Sequence, residues 1–145
     1  MQLASTLLAS LLAATTALAA PAKSMMAATP QWVIEHMKRV CNEHDSQCTW
    51  TFKIDTHEGK KTECTLTVNA TSKARASRAD GKPTTCGAFT VTSGWNDHFG
   101  EGQGFTVLSV VERNKRLIIW PSYTDVQLQN GVVVEPDQSY GPQSI

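Results

Sequence analysis

Asp97, His98 and Glu101 lie close together in the run S-G-W-N-D-H-F-G-E-G-Q-G-F-T, Ser93 to Thr106. A histidine among carboxylates is raw material for general acid–base catalysis, because imidazole titrates near neutrality. That chemistry also needs a positioned partner and a shifted pKa, and neighbours along a loop supply neither by themselves. The remaining histidines, His36, His44 and His57, are scattered, and no G-x-S-x-G or other nucleophile motif occurs. The residues therefore argue against an enzyme.

The glycines of the same run offer a second chemistry. Gly100, Gly102 and Gly104 spell G-x-G-x-G, which lacks dinucleotide-binding spacing and precedes a strand, so no helix N-terminus follows to hold phosphate. Glycine instead permits positive φ in a tight connection between strands. Trp95, Phe99 and Phe105 then either cap one end of the fold or stand out as a contact platform for a protein or a sugar. Trp95, Asp97, His98, Phe99 and Glu101 are the candidate recognition residues, and no cofactor is expected.

Cys41-x2-His44-x3-Cys48, with His36 upstream, has superficially zinc-like spacing. In an oxidising compartment two nearby thiols form a disulfide far more readily than a zinc site, so no metal is expected. Cys41, Cys48, Cys64 and Cys86 allow three pairings. Cys41–Cys48, closing N-E-H-D-S-Q, and Cys64–Cys86, tying two strands, are favoured. Asn69-Ala70-Thr71 is a formal glycosylation sequon.

The compartment follows from the first residues. Leu3 to Ala22 is uncharged, Leu7, Leu8, Leu11 and Leu12 form its apolar centre, and Ala17-Leu18-Ala19 has the small-x-small pattern of a cleavage site. Alanine, serine and threonine dilute the segment too far for a membrane anchor. Residues 1–19 read as a signal peptide, 20–28 as a flexible leader and 29–145 as one domain, secreted and extracellular. The charges balance at thirteen and thirteen, so no global field draws nucleic acid or acidic lipid. Neither nucleic-acid binding nor membrane insertion is expected, and the chain reads as a monomer. Lys73, Arg75, Arg78 and Lys82 read as a solvated basic loop.

Thr29-Pro30 resembles a helix N-cap with proline at the first helical position. Trp32, Val33, His36, Met37 and Val40 then repeat at helical spacing, predicting a short N-terminal helix ending near Cys41. Beyond it the period is two: Cys48, Trp50, Phe52 and Ile54, then Cys64, Leu66 and Val68, then Phe89 and Val91 point inward from strands. Phe105–Val111, Leu117–Trp120 and Val132–Val134 read as further strands, and the tail from Pro136 as polar and irregular. About six strands and one helix predict a mainly β protein, a small antiparallel β-barrel.

The runs R-V-C-N-E-H-D-S-Q-C-T-W-T-F-K-I-D-T (Arg39 to Thr56), T-C-G-A-F-T-V-T-S-G-W (Thr85 to Trp95), G-F-T-V-L-S-V-V (Gly104 to Val111) and V-V-E-P-D-Q-S-Y (Val133 to Tyr140) resemble a group of small secreted ascomycete proteins. That group includes a hypersensitive-response-inducing elicitor of the rice-blast fungus. The resemblance implies a compact β-barrel with two disulfides, paired as favoured above, and no catalytic activity, cofactor or metal. It implies an effector or elicitor that meets a plant surface protein or cell-wall component and provokes defence or cell death. The alternative reading is a cell-wall carbohydrate-binding module using the loop aromatics.

Overall fold

A computed structural model describes residues 29–145. The expected signal peptide and leader, residues 1–19 and 20–28, lie outside the described residues. Ten strands follow in order: β1 Trp32–Cys41, β2 Gln47–Asp55, β3 Thr62–Asn69, β4 Gly81–Cys86, β5 Phe89–Asn96, β6 Phe105–Glu112, β7 Leu117–Ile119, β8 Ser122–Thr124, β9 Gln138–Tyr140 and β10 Gln143–Ser144. Short 3-10 turns occupy Ala76–Arg78 and Gln129–Gly131.

The strands build two antiparallel sheets. One has the order β3-β2-β1-β9; the other runs β10-β7-β6-β5-β4, with β8 paired to β6. Alternation explains their faces: Cys48, Trp50, Phe52 and Ile54 of β2 and Cys64, Leu66 and Val68 of β3 are all buried. They meet Phe89, Val91, Leu108 and Val110 of the other sheet in one core, where Trp32 packs edge-on against Phe89 at 5.5 Å. Burial of each such side chain contributes about 1.5–3 kcal/mol.

The expected closed barrel is not found. β3 and β4 share no hydrogen-bonded ladder. β4 contains Pro83, which has no N–H to donate and belongs on an edge strand. A covalent bond spans the gap instead, the Cys64–Cys86 disulfide between β3 and β4. The second disulfide, Cys41–Cys48, links directly opposed residues of β1 and β2.

The expected N-terminal helix is also corrected: Trp32–Cys41 is β1. Between Glu35, opposite Lys53, and Lys38, opposite Thr51, β1 spends one residue more than β2. This is a β-bulge, and His36 in it has φ 54°. The extra residue shifts the alternation by one. Trp32 and Ile34 point inward before it, and Met37 and Arg39 after it. Of the residues read as the helical face, only Trp32 and Met37 point inward; Val33 is half-buried, and His36 and Val40 are exposed.

Val132–Val134 is not the sixth strand. Asn130 and Gly131 take φ 61° and 65°, and only Val134 of the three is buried, its N–H donating to Met37 O at 2.7 Å. The tail, expected to be irregular, supplies β9, which pairs Trp32 with Tyr140, and β10, which pairs Gln143 with Ile118. The basic stretch is likewise held down. Ala76 and Ala79 are buried, Asp45 O accepts the Ala76 N–H, and Asp45 Oδ1 accepts the Ser77 N–H, both at 2.8 Å.

Candidate functional site: the β5–β6 loop

β5 and β6 pair as far as Asn96 opposite Phe105, and residues 97–104 connect them. Two turns shape the connection: Gly100 N–H donates to Asp97 O at 2.9 Å, and Gln103 N–H to Gly100 O at 3.1 Å. Gly100 and Gly102 sit at φ 106° and 78°, a region that side-chain-bearing residues enter only with strain. Gly104 serves a different need. A Cβ there would lie 2.8 Å from the Trp95 indole, and its carbonyl accepts the Asp125 N–H at 2.9 Å.

Trp95 is the base of the loop, not its tip. Its backbone N–H donates to Asp80 Oδ1 at 3.1 Å and its indole N–H to Asp125 Oδ2 at 3.0 Å. The Arg78 guanidinium lies over its ring at 5.3 Å, a cation–π contact. Of the three aromatics read as either a cap or a platform, Trp95 is therefore anchored on three sides.

Phe99 stands out instead. It is 71% exposed, backed by Phe105 at 5.6 Å, with the His98 ring edge-on to it at 5.6 Å. Asp97 and Glu101 turn the other way, joining Trp95, Arg78, Asp125 and Val126 around a cavity of about 470 Å³. Of the five candidate residues, the structure brings Trp95, Asp97 and Glu101 to one cavity and leaves His98 and Phe99 on the outer side. Among the described residues, the His98 ring hydrogen-bonds neither to Asp97 nor to Glu101.

Three residues of this site escaped sequence reasoning. Arg39 is 8% exposed; its Nη1 lies 3.6 Å from Asp125 Oδ1 and donates to Ser77 O at 3.3 Å, and its guanidinium rests over Trp50 at 5.5 Å. Burial pulls its pKa down, and Asp125 and then Asp45 push it back. Asp125 thus holds Arg39 from one sheet and Trp95 from the other. Arg78 completes the group from the basic segment. No local pattern marks Asp125, and Arg39 falls on the outer face of the expected helix; only the bulge turns it inward.

The zinc-like cluster resolves into other chemistry. Cys41 and Cys48 converge with Asp45, not with His44 or His36, and both sulfurs belong to the Cys41–Cys48 disulfide, so neither is a thiolate ligand. Asn69 is exposed at the end of β3, its Oδ1 accepting from Gln47 Nε2 at 3.1 Å.

A family model described as Effector TSP1 matches residues 33–145. A curated protein described as Effector TSP1, from Hypocrea virens (strain Gv29-8 / FGSC 10586), is 53% identical over 148 aligned positions, covering 100% of this chain and 99% of the relative. Neither match is the rice-blast elicitor of the sequence resemblance.

Proposed function

The chain belongs to the Effector TSP1 family, a fungal effector family, and from that premise we propose that it is secreted and binds at the plant surface to induce defence or cell death. The family suggests a non-enzymatic protein, and the proposed action needs no catalytic step. Two disulfides suit a secreted chain.

One observation carries the choice of surface: Phe99, 71% exposed, stands on a loop whose base is tied down through Trp95. An apolar anchor on a rigid base binds at low ordering cost, which suits recognition of a protein partner. The carbohydrate-binding reading loses ground on the same geometry, because Arg78 already covers a face of Trp95 on which a sugar would stack.

Infiltration of purified secreted protein into leaves tests the proposal. An oxidative burst or necrosis is expected, sharply reduced for Phe99→Ala. No response in several plant species, at doses where an established elicitor works, overturns it. Binding of the protein to cell-wall polysaccharide, abolished by Trp95→Ala, would favour the sugar reading instead.

A further inference from the structure

We propose that Asn69 carries an N-linked oligosaccharide. Five asparagines occur, Asn42, Asn69, Asn96, Asn114 and Asn130, and only Asn69 has a hydroxyl residue two positions on, with alanine between. The residues at that position after the others are His44, His98, Arg116 and Val132. Sequence supplies the acceptor; the fold decides whether a glycan can stay there.

β3 alternates regularly, with Cys64, Leu66 and Val68 buried and Thr65, Thr67 and Asn69 exposed. Asn69 therefore points to solvent on the last residue of the strand, and Ala70 and Thr71 begin the turn beyond. Thr71 is exposed, its Oγ1 accepting the N–H groups of Lys73 and Ala74, each at 3.1 Å. The Asn69 amide uses its oxygen toward Gln47 Nε2, and among the described residues its Nδ2 has no protein partner.

The chemistry needs a lipid-diphosphate-linked oligosaccharide as donor. The Asn69 Nδ2–C1 bond forms, the C1–oxygen bond to the diphosphate breaks, an amide proton leaves to a base, and the lipid diphosphate departs. The product amide keeps Oδ1 and one N–H, so the hydrogen bond from Gln47 survives and the sugar projects outward. The glycan stands at the end of the sheets that carries the β5–β6 loop. Gly81, paired with Ser93 of β5, approaches Val68 so closely that a Cβ there would lie 3.1 Å from its Cγ2.

The test is secretion of the full chain from a filamentous fungus, then intact-mass and peptide analysis before and after amidase release of N-glycans. The expected result is a heterogeneous heavy protein that collapses to the bare mass on release, with Asn69 converted to aspartate. Thr71→Ser keeps the glycan. Asn69→Gln and Thr71→Ala both run at the bare mass, and Thr71→Ala serves if loss of the Gln47 contact impairs folding of the first. Unmodified Asn69, in the culture fluid or retained in cells, overturns the proposal if a control glycoprotein from the same culture carries sugar. None of these readings depends on activity in leaves.

Discussion

The indole N–H of Trp95 donates to Asp125 Oδ2 at 3.0 Å, while Asp125 Oδ1 lies 3.6 Å from the Arg39 guanidinium. One carboxylate in the turn after β8 thus ties the base of the exposed loop in one sheet to a buried cation in the other. The bridge is one of three contacts that hold Trp95 at the base of the loop.

Asp125→Ala strands the Arg39 charge in a site where it is 8% exposed. The expected loss is about 2–4 kcal/mol, since an orphaned buried charge costs more than the intact pair contributes. Trp95→Phe replaces the indole with a single smaller ring and removes its N–H; loss of the hydrogen bond costs about 1 kcal/mol, and the lost packing adds to it. Denaturant unfolding of both variants and of the double mutant checks this. Strict additivity would mean that Asp125 and Trp95 do not interact.

Phe99→Ala separates recognition from folding. An exposed side chain shifts stability by no more than about 0.5 kcal/mol, so the unfolding midpoint should stay put while the leaf response falls. A matching loss of stability would show Phe99 to be packing.

The bulge makes a backbone prediction at His36, φ 54°. His36→Val should destabilise by about 1 kcal/mol or more, because a β-branched residue fits the left-handed region poorly. His36→Gly should leave stability equal or higher by up to about 1 kcal/mol. Equal losses in both variants would point to the side chain, not to φ.

The two disulfides close loops of different length, 7 and 22 residues of separation. On the chain-entropy account their removal costs about 2.5 and about 3.4 kcal/mol, respectively. Paired serine replacements, each measured by thermal unfolding, should rank in that order. The Cys64–Cys86 variant should show the larger loss also because nothing else joins β3 to β4 as a ladder.

Tyr123 sets an alkaline limit. Its hydroxyl is buried beside that of Tyr140 with no satisfactory hydrogen bond, and burial, followed by the influence of Tyr140, pushes its pKa far above the ordinary tyrosine value. A raised folded-state pKa contributes stability that is complete below the unfolded value, about 10, and is lost as pH rises toward the folded value. Stability should therefore fall above about pH 10, and less steeply in Tyr123→Phe. At neutral pH that variant should match or exceed the parent, since it removes an unsatisfied hydroxyl. Equal alkaline slopes in the two proteins would contradict this.

Much was legible along the chain because it is local. Strict alternation from Cys48 to Ile54 and from Cys64 to Val68 identifies β2, β3 and their inner faces, and those residues are buried as read. The glycines at 100 and 102 announce a turn between strands, and their φ values agree. The bulge at His36 was not legible. An inserted residue changes the phase of a strand, and only the partner strand's register reveals that Met37 and Arg39 face inward.

What β3 and β4 do at their shared boundary, which aromatic is anchored and which is free, and why Arg39 can be buried at all were decided in three dimensions. Arg39, Asp125 and Trp95 are far apart in sequence and meet only when the sheets close on the core. Periodicity records which side of a strand repels water. Charge pairing, register and the closure of a sheet are properties of segments brought together, so no window of residues contains them.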